Sequence, residues 1–381
     1  MSEEAIYVTA VMPCLNEENT IGACIEKAFR CFTQLGIRGE VVVADNGSTD
    51  RSVEIAESLG ARVVHEARKG YGAALMAGIE GGRGSIVIMA DADDTYDWLA
   101  MGDFVRQIES GFDLVIGNRF KGGIEPGAMP PLHRYLGNPV LSTVTRWMYR
   151  IPIGDFHCGM RAFTREAYRR MKLRTRGMEF ATEMVVYAAQ AGLRIGEIPT
   201  KLYPDKRDRP PHLRSFRDGW RHLRFIVTYA PDYLYLLPGA LLALPGLAGL
   251  IALLNGPTNI LGHSFGIHFL ALSSLFLLSG AQLVTFGILA KAHHARYHPL
   301  PPSLFSNFLT FFSLEKGLTV GMAVFLSGAS IDAFILFHWL ERGRGAMEDT
   351  VHLAFFAGTL TLVGLQVLFA SFLLNMLREQ P

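Results

Sequence analysis

Four carboxylates follow one apolar run in the segment VIMADADDTYDW: Asp91, Asp93, Asp94 and Asp97. Like charges at the exit of a buried strand repel and lose hydration unless something positive sits among them. Asp91 and Asp93, alternate in sequence, can reach one hard divalent cation. Mg2+ or Mn2+ held this way completes its shell with substrate phosphates. The competing reading is exposed loop acids, and Asp97 suits the cap of the following helix. Asp45 ends a second apolar run, EVVVAD, where a carboxylate can accept hydrogen bonds from a nucleotide base or ribose. The adjoining Asn46-Gly47 is equally a turn pair. PCLNEE ends a third run with Pro13, Asn16 and Glu17, for which capping is the default role. ARKGYG places Lys69 and Gly70 ahead of a helix, where backbone N–H groups can approach a phosphate; it is not a Walker loop. Arg119, in GNRF, can pair with Asp91 or Asp93 or contact a phosphate.

These residues need a scaffold, and the front of the chain supplies alternating signals. Strands are expected at Ile6–Met12, Glu40–Asp45, RVVHE, SIVIMAD and FDLVIGN. Helices are expected at Asn19–Leu35, STDRSVEIAESLG with Gly60 as its stop, GYGAALMAGIEGG and TYDWLAMGDFVRQIES. Such alternation predicts a mostly parallel, Rossmann-like α/β sheet covered by helices on both faces. Ligands then bind beyond the carboxyl ends of the strands, and PCLNEE, DNGSTD, DADDTYD and GNRF each sit at such an end.

The back of the chain differs. Four apolar segments run roughly Tyr233–Leu254, Phe265–Leu289, Leu318–Leu340 and Val351–Leu374. Each reaches about 20 residues, the length a membrane-spanning helix needs. An all-α membrane domain of four helices is expected over 231–381, preceded by a catalytic domain over 1–212 and a basic juxtamembrane segment over 213–230. Lys291, Arg296 and Lys316 between the second and third spans favour cytosolic termini, although ERGRGAMEDT between the third and fourth weakens the contrast. The membrane helices are also a candidate surface for homo-oligomers. Asp332 falls inside the third span, where packing or a rim position competes with function. A net charge of +1 leaves no global nucleic-acid signature. Cys14, Cys24, Cys31 and Cys158 form no CxxC pair and have no His at zinc spacing, so reduced thiols are expected. The acidic N-terminal MSEEAIYVTAV carries no charged-then-apolar leader, so no signal peptide is expected.

VMPCLNEENTIGACI, VVVADNGSTDRS, KGYGAALMAGI and DADDTYD, in this order, resemble family 2 glycosyltransferases of the GT-A fold. GDFHCGMRAF (Gly154–Phe163) and GMEFATEMV (Gly177–Val185) are similar to the polyprenyl-phosphate hexose synthases, the dolichol-phosphate mannose and glucose synthases. The resemblance covers about residues 5–225. It implies that Asp45 holds the nucleotide of a UDP- or GDP-hexose with Pro13 and Glu17 nearby, and that Asp91 and Asp93 hold the metal and donor diphosphate. It further implies that Arg119 and Arg134 face the phosphate of a polyprenyl acceptor, and that Asp155, Arg161, Glu179 and Glu183 match acceptor-side motifs. The mannose synthases continue their acidic motif with Leu-Gln, the Gln helping to hold metal; here Asp94 and Thr95 stand there, so the shell or the donor differs.

A basic stretch agrees with a membrane acceptor. Asp205–Arg224 holds seven Lys or Arg against three Asp, just ahead of the first span. Each cation near anionic headgroups gains about 1 kcal/mol. Beyond setting topology, Lys206, Arg209, Arg214 or Arg217 can grip a lipid phosphate. LGNPVLSTVTRWMYRI (Leu136–Ile151) can lie along the interface or in the core. A phosphate acceptor is largely ionised near pH 7 and needs no strong base. What it needs is positive charge in line, a task for Arg119, Arg134 and Arg161. A single displacement, which the resemblance implies, would invert the anomeric centre. Rivals remain. A processive polysaccharide synthase would show QxxRW, but Thr143 stands three before Arg146-Trp147. A hydroxyl-acceptor glycolipid synthase would need a base such as Asp94 or Asp97. A non-enzymatic nucleotide-sensing scaffold would not need both Asp91 and Asp93.

Overall fold

A computed structural model describes residues 5–206, 215–260, 262–297, 303–342 and 350–379. The chain divides into two compact units, Met1–Ile226 and Val227–Pro381.

The first unit is built on seven strands: β1 (Val8–Cys14), β2 (Gly39–Asp45), β3 (Arg62–His65), β4 (Ile86–Met89), β5 (Leu114–Asn118), β6 (Arg161–Thr164) and β7 (Ile195–Pro199). Their order is β3-β2-β1-β4-β6-β5-β7. All pairings are parallel except those of β6, which runs antiparallel to both β4 and β5. Val8 to Met12 and Ile86 to Met89 are buried throughout. Helices cover both faces of such a sheet, so its strands read as unbroken apolar runs rather than alternating ones.

The helices of this unit are α1 (Ile21–Leu35), α2 (Ser52–Ser58), α3 (Tyr71–Gly81), α4 (Met101–Glu109), the single turn α5 (Arg119–Gly122), α6 (Asn138–Tyr149), α7 (Arg165–Met171), α8 (Phe180–Gln190) and α9 (Ser215–Thr228). Gly60, past the end of α2, has φ +81, the left-handed stop expected there. Asp97 accepts from the N–H of Leu99 and caps the 3-10 turn that leads into α4, as its position suggested. α9 lies in the stretch read as a separate juxtamembrane segment. Its Asp218, His222, Phe225 and Ile226 are buried, so the first unit continues through most of it.

The second unit contains α10 (Leu237–Ala252), a two-stranded hairpin of β8 (Thr258–Ile260) and β9 (His263–Phe265), then α11 (Ile267–Ala295), α12 (Leu304–Phe311), α13 (Leu314–Glu341) and α14 (Val351–Glu379). Among the described residues four helical segments are long and apolar enough to cross a bilayer: Asp232–Ala252, Ile267–Ala295, Leu314–Glu341 and Val351–Arg378. The helices pack through small residues. A side chain at Gly280 would meet the backbone of Ala243, and one at Gly364 the backbone of Phe325. Close backbone approach is how helices associate where lipid removes the hydrophobic drive. Asp332 accepts from Thr361 Oγ1 at 3.4 Å across α13 and α14.

Candidate active site

The strand order reverses at β1: β2 and β3 extend to one side of it and β4 lies on the other. A crevice beyond the carboxyl ends forms at such a reversal. The loops after β1, β2 and β4 meet there, which brings PCLNEE, DNGSTD and DADDTYD together.

The β1 and β2 loops are stitched to each other. Asn16, at φ +60, accepts from the N–H of Thr49 at 2.7 Å, and its own N–H donates to Ser48 Oγ. The N–H of Glu17 donates to Ser52 Oγ at 2.7 Å, with the Glu17 side chain buried. Pro13 pairs in register with Ala44. Asp45 closes a tight turn, accepting from Ser48 N–H at 2.9 Å and Gly47 N–H at 3.2 Å, with His65 Nδ1 at 3.1 Å. Burial alone would raise the Asp45 pKa, but Ser48, His65 and Gly47 outweigh it and hold the carboxyl below its ordinary value. Asp45 therefore shapes the turn and stays ionised at the rim.

Asn46 ties this turn to the next segment. Its amide donates to the carbonyls of Glu66 and Arg68, and its Oδ1 accepts from Gly70 N–H at 2.8 Å. Lys69 Nζ donates to the carbonyl of Asn46 at 2.6 Å. The Gly70 N–H is thus spent on Asn46 rather than offered to a phosphate. Gly70 is required for another reason: at φ +138 it lies against the Arg176 carbonyl, where a Cβ would collide.

The acidic turn is not a row of free charges. Asp91 bonds the hydroxyl of Tyr71. Asp93 accepts from Thr95 Oγ1 at 2.6 Å and Thr95 N–H at 3.1 Å. Asp94, at φ +58 and almost fully buried, takes Lys27 Nζ at 2.5 Å on one oxygen and Lys206 Nζ at 2.6 Å on the other. Burial pushes its pKa up, and the two lysines more than reverse that, leaving it below the usual carboxylate range. The strap carrying Lys206 runs beside this turn, with Tyr203 N–H donating to Thr95 carbonyl at 3.0 Å. Among the described residues no three His, Cys, Asp or Glu side chains gather as a metal cage. Asp91 and Asp93 are hard oxygen donors that suit Mg2+ or Mn2+ only if phosphate oxygens and water complete the shell.

Around Arg119 the structure departs from one sequence expectation. Arg119 reaches neither Asp91 nor Asp93. It forks onto Asp155, Nε to Oδ2 at 2.7 Å and Nη2 to Oδ1 at 2.8 Å, with side chains 10% and 0% exposed. Asp155 is fully buried; burial alone would raise its pKa, but Arg119 holds it low. Arg161 is also fully buried, and its guanidinium donates to the carbonyls of Cys158, Ala181 and Phe156. A guanidinium so enclosed cannot touch a phosphate; it can act only through its field. Glu183 accepts from Arg174, Thr175 N–H and Thr175 Oγ1, and so anchors the loop behind Gly70. Glu179 carries a buried oxygen with no partner. Arg134 lies over the ring of Tyr135 at 5.5 Å and stays half-exposed. Arg217 is exposed, 3.7 Å from Asp218. Arg209 and Arg214 lie outside the described residues.

Leu136, Val140 and Trp147 are each about half exposed or more, whereas Ser142 and Thr145 on the same helical stretch are buried. This inverted pattern favours the interfacial reading of Leu136–Ile151 over the core reading. Residues that sequence reasoning missed include Tyr71, Tyr96, Lys27 and the pair His157–His222. Tyr96 accepts the Gly159 N–H at 2.9 Å and, with Tyr71, backs Asp91. His222 and His157 meet edge to face at 4.7 Å. No local pattern marks these; each is identified only by a contact distant in sequence.

Residues 9–172 match the model of glycosyl transferase family 2, and residues 288–378 match the glycosyltransferase family 2 C-terminal transmembrane region. The low-salt glycan biosynthesis hexosyltransferase Agl6 of Haloferax volcanii is 38% identical over 379 residues, which is 99% of this chain and 91% of Agl6. A dolichyl-phosphate hexose transferase of the same organism is 33% identical over 192 residues, 50% of this chain and 81% of that protein. Among solved structures, glucosyl-3-phosphoglycerate synthase of Mycobacterium tuberculosis, with Mn2+, UDP and glucosyl-3-phosphoglycerate, aligns with a TM-score of 0.46. It is 23% identical and covers 58% of this chain and 78% of that one.

Proposed function

The chain belongs to glycosyltransferase family 2 as a membrane glycosyltransferase, and on that premise we propose that it moves a hexose, glucose or mannose, from a UDP- or GDP-linked donor to a polyprenyl monophosphate. Transfer inverts the anomeric centre, requires Mg2+ or Mn2+, and takes place at the cytosolic face. One observation carries this reading: Asp45, Asp91 and Asp93 stand at the carboxyl ends of β2 and β4, the strands that flank β1 at the reversal of strand order, in a chain that also carries four spans. The names of the Haloferax relatives support the hexose and the lipid phosphate.

Asp45 takes the nucleoside, on a rim shaped by Pro13, Asn16, Glu17, Asn46, Lys69 and Gly70. Asp91 and Asp93 hold the metal with the donor diphosphate. When bound, that ion neutralises the departing diphosphate as its charge develops. The acceptor phosphate is already an anion, so the residues around it orient it rather than deprotonate it. Arg134, Lys206 and Arg217 are the described cations open to that task; Arg209 and Arg214 complete the set by sequence. Arg119 and Arg161 serve from beneath, Arg119 by fixing the Asp155 turn and Arg161 through its field. Lys206 has Asp94 as its partner before any phosphate arrives, so acceptor binding competes with that ion pair.

The full chain in detergent, given a panel of UDP- and GDP-hexoses with Mg2+, separates the alternatives by product mass. A polyprenyl-phosphate-hexose from polyprenyl monophosphate, and none from polyprenol, is expected. Transfer to polyprenol, or donor hydrolysis that added polyprenyl phosphate does not change, overturns the assignment.

A further inference from the structure

The membrane unit contains a slot that the reaction above does not use. Leu289 of α11, Phe308 and Phe311 of α12, Val320 of α13 and Leu374 of α14 wall a cavity of about 250 Å³. A second groove of about 480 Å³ shares Thr285, Leu289 and Ala370 with it and continues between α11 and α14. Phe311 and Val320 are more than half exposed, so the slot opens to the side, where a lipid tail can enter.

One end of this apolar slot is cationic. Lys316 lines it, with Nζ donating to the Phe311 carbonyl at 2.8 Å and lying 3.6 Å from the centre of the Phe311 ring. Arg378 donates to the next carbonyl, that of Phe312, at 2.6 Å. The two heads therefore gather at adjacent peptide groups. Neither forms an ion pair with a carboxylate among the described residues. The neighbouring Glu315 turns back onto Ser313 and its own N–H. Lys291, which lies over Phe305, contrasts with them, because it is matched by Asp232 at 2.6 Å. Lys316 stands in the first turn of α13 and Arg378 in the last turn of α14, both exposed at the ends of their spans, where a lipid phosphate can join them. A phosphate monoester, with a charge of about −1.5 to −2 near pH 7, matches the pair. A phosphodiester headgroup carries one charge and two tails, and fits the charge and the single slot less well.

We propose that this slot is a holding site for a polyprenyl monophosphate, its phosphate on Lys316 and Arg378 and its first isoprenoid units along Phe308, Phe311 and Leu289. The proposal rests on the reading of the acceptor as a lipid monophosphate. The test uses the full chain in phosphatidylcholine nanodiscs, without donor, and a polyprenyl monophosphate carrying a photoreactive diazirine near its head. Labelled peptides should come from α12, α13 and the end of α14. Lys316→Ala with Arg378→Ala should lower labelling at those peptides at least tenfold. Val320→Trp, which fills the slot and leaves both cations in place, should do the same and carries the test if the double variant is not monodisperse. Unlabelled polyprenyl monophosphate should compete, while polyprenol, phosphatidylglycerol and inorganic phosphate should not. Equal competition by phosphatidylglycerol makes this an ordinary headgroup contact and overturns the proposal, as does labelling that ignores both sets of substitutions. No turnover is involved, so a chain that labels as expected yet transfers nothing to lipid phosphate refutes the proposed activity alone. A chain that transfers normally but leaves α12–α14 unlabelled refutes the holding site alone.

Discussion

Replacing Asp155 with alanine decides which of two jobs Arg119 performs. If Arg119 is a structural partner, the substitution strands a guanidinium whose side chain is only 10% exposed and removes the acceptor of two charged bonds, at 2.7 and 2.8 Å. It also removes the acceptor of the Arg119 N–H, at 3.1 Å. Breaking a buried pair from one side costs about 3–5 kcal/mol. Total stabilities are only about 5–15 kcal/mol. For a unit of this size each kcal/mol moves Tm by about 2–4 °C, so a fall of roughly 6–20 °C is expected. Trp98 is fully buried in the first unit, and with Trp98 kept as the sole tryptophan its emission during a thermal scan of the full chain in detergent follows that unit. Arg119→Lys keeps the charge but loses the planar fork, and should cost about 1.5–3 kcal/mol by the same signal. Were Arg119 instead a phosphate grip, Asp155→Ala would free it, Tm would hold, and Arg119→Lys would raise only the acceptor KM. A Tm within about 2 °C of the wild type for Asp155→Ala refutes the structural assignment.

Asp93→Asn keeps an oxygen for Thr95 and removes the charge; transfer should drop about 10³-fold with Tm unchanged, and activity that neither this variant nor a chelator reduces would remove the metal role. The His222 pKa is pushed down to about 4 by burial, with Arg161 adding to the shift and Asp218 opposing it. The unfolded chain, titrating near 6.5, binds more protons between those values, so stability is full above about pH 6.5 and is lost as pH falls. The loss is about 2 kcal/mol between pH 7 and 5, before carboxylates such as Asp45 begin to contribute. Tm should fall over that range and His222→Gln should flatten the slope; a Tm with no pH dependence there would contradict the linkage. With Trp147 as the sole tryptophan, brominated lipids should quench its emission, whereas Trp98 as the sole tryptophan should be unaffected; equal behaviour of the two would place α6 away from the bilayer interface.

Sequence made some of this legible because the signals are local. Unbroken apolar runs announced β1, β2, β4 and β5, and length alone announced the spans. Asp97 as a cap needed only the residues beside it. What stayed hidden is what the chain joins across distance. β6 is four residues long with a fully buried arginine at its head, so no apolar period marks it, and its antiparallel register against β4 and β5 is set by those strands. The partner of Arg119 is 36 residues away, and neither acid considered for it is the one it meets. Lys27 and Lys206 reach Asp94 from 67 and 112 residues away. Pairing of that kind follows from topology, and a single sequence states only which charges are available.

The acidic turn shows how the cost of crowded carboxylates is met. Asp97 is removed from the group by its cap bond to Leu99. Asp94 lies between two ammonium groups, one from α1 and one from the strap after β7, and its left-handed backbone turns the carboxylate to meet them both. An aspartate accepts that conformation more readily than most residues, which is a physical reason for Asp rather than Leu at this position. What remains at the rim is Asp91 and Asp93, each oriented by a hydroxyl, from Tyr71 and Thr95. Under the proposed function, Asp91 and Asp93 would hold the metal together with the donor diphosphate, while Asp94 stays with its two lysines. Asp94→Asn should weaken the hold on Lys206 and loosen the strap, so that the acceptor KM shifts while chelator sensitivity does not. A variant with altered metal affinity and an unchanged acceptor KM would instead place Asp94 in the metal shell.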